Sequence, residues 1–159
     1  MESIEVLRAL AQLPVRPKRT VRVVLFMAEE FGGMGSDAYA KFAKKNGEIP
    51  VAGIEADQGC FTPQGFTIAQ EAKAAKVRQW AKYLKPLNAD QVWVGYSAAD
   101  VAPLEALGAA GIGYVSDPTH YFDYHHSAID KFEAIKRSDL EGGVMAMVTL
   151  TYLISELGI

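Results

Sequence analysis

In VVLFMAEE, residues 23–30, an apolar run ends in two adjacent acids, Glu29 and Glu30, and FGGMGS follows directly. A second apolar stretch, PVAGIEAD at 50–57, delivers Glu55 and Asp57 at its own end. A third group lies in YFDYHHSAID, 121–130, where His125 and His126 stand among Tyr121, Phe122, Tyr124, Asp123 and Asp130. Each group has an ordinary reading by itself: solvated glutamates at a strand end, a capping or loop-bound carboxylate, a pair of structural or exposed histidines. Together they offer carboxylate oxygen and imidazole nitrogen, donors that suit Zn²⁺. They also leave a carboxylate free of metal that can act as a general base. The joint pattern favours a metal site.

These residues need elements that bring them to one place. Strand side chains alternate between faces, so Glu29 and Glu30 serve one pocket only where a strand ends and the backbone turns. The three glycines at 32, 33 and 35 permit such a turn. Period two puts Glu55 and Asp57 on one face. Ligands of open α/β sheets bind outside the carboxyl ends of the strands, where both acidic pairs fall. The predicted order starts with an amphipathic helix in ESIEVLRALAQL that stops at Pro14. A doubly covered strand over Thr20–Ala28 follows, then a helix capped by Ser36 or Asp37 and running to about Asn46. Next come a strand over Pro50–Asp57, a loop at QGCFTPQGF and a helix over Glu71–Leu84. A short strand VWVG, a helix over Asp100–Ala110 and a strand GIGYVS lead to a long irregular loop, DPTHYFDYHHSAID. Ser138–Leu157 closes the chain as a helix. Strands alternating with helices argue an α/β domain around a largely parallel sheet.

The 159 residues fit one domain, and no internal repeat or interdomain linker interrupts them. Half of the residues are apolar and 22% are charged, with a net charge of −3, a balance that gives no reason to expect a nucleic-acid partner. One cysteine, Cys60, excludes an internal disulfide. No apolar run approaches the roughly 20 residues of a membrane-spanning helix, and the first residues do not read as a secretory signal.

The stretches VVLFMAEEFGGMGSDAYA, IEADQGCFTPQGF, LKPLNA, SAADVAPL and YFDYHHSAIDKF, in that order, resemble the co-catalytic zinc exopeptidases. That family includes aminopeptidases and glutamate carboxypeptidases, and the likeness is greatest to the plasma glutamate carboxypeptidase branch. The resemblance implies a three-layer α/β sandwich, with a mostly parallel mixed sheet and helices on both faces. It implies two zinc ions per site, a small peptide as substrate and export from the cytoplasm, and a homo-oligomer fits it. Residue by residue, it implies that Glu29 is the general base and that Glu30 ligates metal. Asp57 falls on the ligand to the other zinc, and His126, directly before Ser127, on the late histidine ligand. His125 is then a neighbour facing elsewhere, and Asp130 a loop or supporting acceptor.

One departure stands out. The family's first two ligands, a histidine in a His-x-Asp motif and a bridging aspartate, precede the Glu-Glu pair. Residues 1–28 contain no histidine and no aspartate, and only Glu2 and Glu5 as acids. The expectation is therefore the C-terminal portion of a single exopeptidase domain, N-terminally truncated and inactive alone. Two other readings stay open: a non-catalytic peptidase-like binding domain, and an acyl-transferring relative of the glutaminyl cyclases.

Overall fold

The computed structural model describes residues 2–59 and 61–159; Met1, and Cys60 in the predicted loop, lie outside the described residues. Four strands form one sheet: β1 (Ala52–Glu55), β2 (Pro63–Ile68), β3 (Gln91–Val94) and β4 (Ala110–Ser116), in spatial order β1-β4-β2-β3. β1 is parallel to β4 and β2 to β3, whereas β2 and β4 are antiparallel. The α-helices are α1 (Glu2–Ala11), α2 (Met34–Lys45), α3 (Glu71–Arg78), α4 (Ala81–Leu84), α5 (Tyr121–Tyr124) and α6 (Arg137–Leu157).

Alternation along β2 and β4 sets the layers. Phe66, Ile68, Ile112 and Tyr114 face one side, where they bury against Val6 and Leu10 of α1, Ala74 and Val77 of α3, and Val144, Met147 and Leu150 of α6. Phe66, Ile68, Ile112 and Leu150 are fully buried, and each such side chain contributes about 1.5–3 kcal/mol. α6 is long and apolar enough by length and composition to cross a bilayer, although the sequence holds no continuous apolar run of that length. Its inward residues nonetheless belong to this core. The opposite face carries small residues because the chain crosses it closely. A Cβ on Gly113 would stand 1.8 Å from the carbonyl oxygen of Ser97, so only glycine lets that crossing lie flat on β4. The 3₁₀ turn Ala102–Leu107 packs on β1 and β4, and α2 packs on that turn. Helical layers thus cover both faces.

Several expectations change. Thr20–Ala28 has no regular secondary structure and joins no strand ladder among the described residues. Its apolar run suits cover on both faces, yet one side only is covered: Phe26 meets Tyr39 edge-on, whereas Leu25 and Met27 are 67% and 80% exposed. Part of the predicted loop at QGCFTPQGF is β2, with Pro63 at its first position, where a strand tolerates the missing N–H. The helix over Glu71–Leu84 divides into α3 and α4 where Trp80 turns inward and is buried. The helix over Asp100–Ala110 is the short 3₁₀ turn, stopped by left-handed Gly108, and Ala110 already belongs to β4. Gly33, at φ 68, occupies the N-cap of α2; neither Ser36 nor Asp37 caps it. The long loop is partly ordered, with a 3₁₀ turn over Pro118–His120 leading into α5.

Candidate metal and catalytic site

The carboxyl ends of the parallel pair β1 and β4 lie side by side, with Glu55 opposite Gly113. Asp57 follows the first of these strands, and the segment carrying α5 and both histidines follows the second. The Glu29–Glu30 turn joins them from α2's side. Ala28 enters it in the left-handed region, at φ 61, and the amides of Gly32 and Gly33 donate to the Glu29 carbonyl at 2.9 and 3.0 Å. A cavity of about 570 Å³ results, bordered by Glu29, Glu30, Asp57, His126 and Asp130 on its polar side. Phe61, Tyr121, Tyr124 and Ile135 form its apolar wall, and Phe61 and Tyr124 lie ring to ring at 6.0 Å.

Nε2 of His126 stands 3.2 Å from Oε1 of Glu30, with the two side chains 63% and 68% exposed. Adjacent corners of a zinc tetrahedron, at bonds of ~2.0–2.2 Å, are about 3.3–3.5 Å apart. The pair therefore fits two corners of one ion. Like Ala28, His126 is left-handed, at φ 54, so two non-glycine residues in a disfavoured region flank this contact. Among the described residues, no three His, Cys, Asp or Glu side chains gather closely enough to hold a metal ion. The donor set fits zinc in part: two donor side chains close together, with Asp57 on the same cavity.

His125 also lines the cavity instead of facing elsewhere. Its ring stacks on Tyr121 at 4.8 Å, and the Tyr121 hydroxyl lies 3.0 Å from its Nδ1, which holds it to the aromatic wall. Partial removal from water, and then the charges of Glu30, Asp57 and Asp100, push Glu29 above the ordinary glutamate range, with His126 opposing. Burial first, and then Asp100 and Asp57, raise Glu55 to about 7, against the amide N–H groups of Val101 and Asp100 that it accepts. Burial likewise raises Asp100, with Asp57 adding and the Ser36 hydroxyl opposing.

A family model, Peptidase family M28, matches residues 2–150. The chain belongs to peptidase family M28. Its relatives include carboxypeptidase Q of Bos taurus, 30% identical over 156 residues, and that of Homo sapiens, 31% identical over 157 residues. Each match covers 98% of this chain and 33% of the relative, so the chain spans about a third of their length. The crystal structure of a peptidase M28 precursor from Shewanella amazonensis superposes with a TM-score of 0.85 at 27% identity, covering 97% of this chain and 35% of that one. The M28 fold thus accounts for the mixed sheet and its helical layers.

Within this M28 chain, the sequence marks Tyr121 and Tyr124 as part of an aromatic-rich stretch, but not Phe61 beside them, nor Asp100. Phe61 and Tyr124 meet only through the fold. Asp100 lies in the stretch SAADVAPL at the start of the expected helix, where its type and spacing do not tie it to the acids of the site.

Proposed function

We propose that the chain supplies part of a zinc-dependent exopeptidase centre that hydrolyses the terminal peptide bond of small peptides and frees an amino acid. The observation that carries this reading is the Glu30–His126 contact at 3.2 Å, beside a glutamate of raised pKa on one cavity. Glu30 and His126 would hold one ion, and Asp57 would contribute to a second. Bound zinc supplies polarisation of the scissile carbonyl and lowers the pKa of water towards about 7. Glu29 stays free of metal. It takes a proton from the attacking water and delivers it to the nitrogen of the breaking bond, and its raised pKa suits both transfers. The cavity wall of Phe61, Tyr121 and Tyr124 seats the side chain next to that bond.

A catalytic zinc takes three protein ligands and a water. With two donors together and no third close by among the described residues, the 159 residues alone should hydrolyse no dipeptide measurably. The test is hydrolysis of a dipeptide panel, with zinc content measured alongside. A longer chain carrying a His-x-Asp motif and a bridging aspartate ahead of Met1 should turn over. A longer chain that loads zinc but cleaves nothing would favour a binding domain, and cyclisation of N-terminal glutamine would favour an acyl-transfer relative.

A further inference from the structure

A second cavity, of about 370 Å³, lies beside the crossing of Ser97 over Gly113, and Asp57 borders both cavities. Gln58 directly follows Asp57, and its carbonyl accepts the Ser116 hydroxyl at 3.4 Å. Gln64 reaches the cavity by way of a bulge. Pro63 pairs with Ser116 and Gly65 with Val115, neighbours on β4, so Gln64 is an extra residue in β2. Regular alternation would put its side chain with Phe66 and Ile68 in the core. The bulge turns it to the cavity instead, on the side of Thr67. Trp93, the partner of Thr67 on β3, and Tyr96 add aromatic surface. The Thr67 and Ser97 hydroxyls and Oε2 of Glu55 are already engaged within the fold. The side-chain amides of Gln58 and Gln64 have no hydrogen-bond partner among the described residues.

We propose that this cavity is a subsite for a substrate residue with a carboxamide side chain, glutamine or asparagine, and that Gln58 and Gln64 determine that specificity. The proposal rests on the exopeptidase reading for its peptide substrate. Asp57, on both cavities, places this subsite across the metal site from the aromatic wall, so it takes the residue on the other side of the scissile bond. A carboxamide carries one acceptor oxygen and two N–H donors, and a third carboxamide answers the two in the cavity group for group. An aliphatic side chain would displace their water and return no hydrogen bond, which is how a polar site rejects an apolar analogue. A carboxylate would accept from both amides but meets the charges of Glu55 and Asp57. An ammonium has no acceptor to offer their N–H groups.

The test is dipeptide binding to the whole chain in EDTA, followed by NMR at the side-chain amides of Gln58 and Gln64 and the indole N–H of Trp93. The Ile112 amide reports an intact core. Dipeptides joining phenylalanine to glutamine, in both orders, are compared with those carrying methionine, glutamate or lysine in place of glutamine. The better glutamine order should saturate the reporters at about a tenth of the concentration that its methionine counterpart needs. Gln58→Met and Gln64→Met, read at Trp93, should each bring the two peptides within about threefold. Gln58 is exposed after β1, so Gln58→Met decides the matter if Gln64→Met disturbs Ile112. Methionine, glutamate or lysine peptides binding as tightly as glutamine would overturn the proposal. So would a glutamine preference that survives Gln58→Met, or reporters that no peptide moves. A titration with ZnCl₂, read at the Glu30 and His126 amides, keeps the metal reading separate. If zinc moves neither, the exopeptidase reading fails while the peptide comparison still decides the subsite; a zinc response without glutamine preference removes the subsite alone.

Discussion

Glu55 has to remain an acceptor for two amides while burial and two neighbouring acids disfavour its charge, and its pKa of about 7 reflects that conflict. The sign of the consequence follows from linkage. The folded-state pKa lies above the ordinary 4.5, so between those values the folded chain keeps a proton that the unfolded chain has lost. This contribution to stability is complete below about pH 4.5 and is lost as pH rises through 7. For a half-exposed group screened by water, the loss is about 1–2 kcal/mol. Urea midpoints of the metal-free chain at pH 5 and pH 8 should show it, and Glu55→Gln should flatten the difference. A Glu55→Gln variant with the wild-type dependence would place the titration elsewhere. Glu29 shares the direction of shift for related reasons, partial removal from water and the acids around it. Its proposed role as base requires it to stay off the metal, and the pairing of its neighbour Glu30 with His126 leaves it free to do so.

At the scale of elements, the close crossing of Ser97 over Gly113 explains why the loop after β3 can reach Glu55 at all. Gly113→Ala would set a Cβ against a backbone carbonyl that cannot rotate away. It should cost about 3 kcal/mol in urea denaturation, the upper end of ordinary overpacking, and a loss below about 1 kcal/mol would mean the crossing is loose. What could be read from sequence follows the same physics. β1, β3 and β4 were legible because short apolar runs bounded by turn residues have few other uses. β2 was not, because Pro63 and Gly65 signal a loop, and only pairing with β4 makes a strand of them. Thr20–Ala28 misled in the opposite way: an apolar run reports a need for cover, and the cover depends on what lies beside it. Within the site, the Glu29–Glu30 pair, Asp57 and the histidines stood out by type and spacing. Tyr121 and Tyr124 stand in that same aromatic-rich stretch, whereas Phe61 opposite them and the Glu55–Asp100 link come from residues tens of positions away and leave no local pattern.

Over the whole molecule, Leu25, Met27, Phe31, Met34, Phe42 and Ile49 are exposed along the Thr20–Ala28 segment, the glycine turn, α2 and the link to β1. Soluble monomers seldom leave that many large apolar side chains in one neighbourhood. Sedimentation velocity should show concentration-dependent self-association, reduced in a Leu25→Lys, Met27→Lys double variant; a monomer at all concentrations would contradict this. The central claim is that the chain holds one part of a divided metal site, with Glu30 and His126 as ligands and Glu29 as base. The most direct measurement is zinc bound per chain by equilibrium dialysis for wild type, Glu29→Gln, Glu30→Gln and His126→Ala. Weak zinc binding should be the same in wild type and Glu29→Gln, and should require about tenfold more zinc or greater in Glu30→Gln and His126→Ala. Loss of zinc in Glu29→Gln with retention in Glu30→Gln would reverse the two roles and contradict the account.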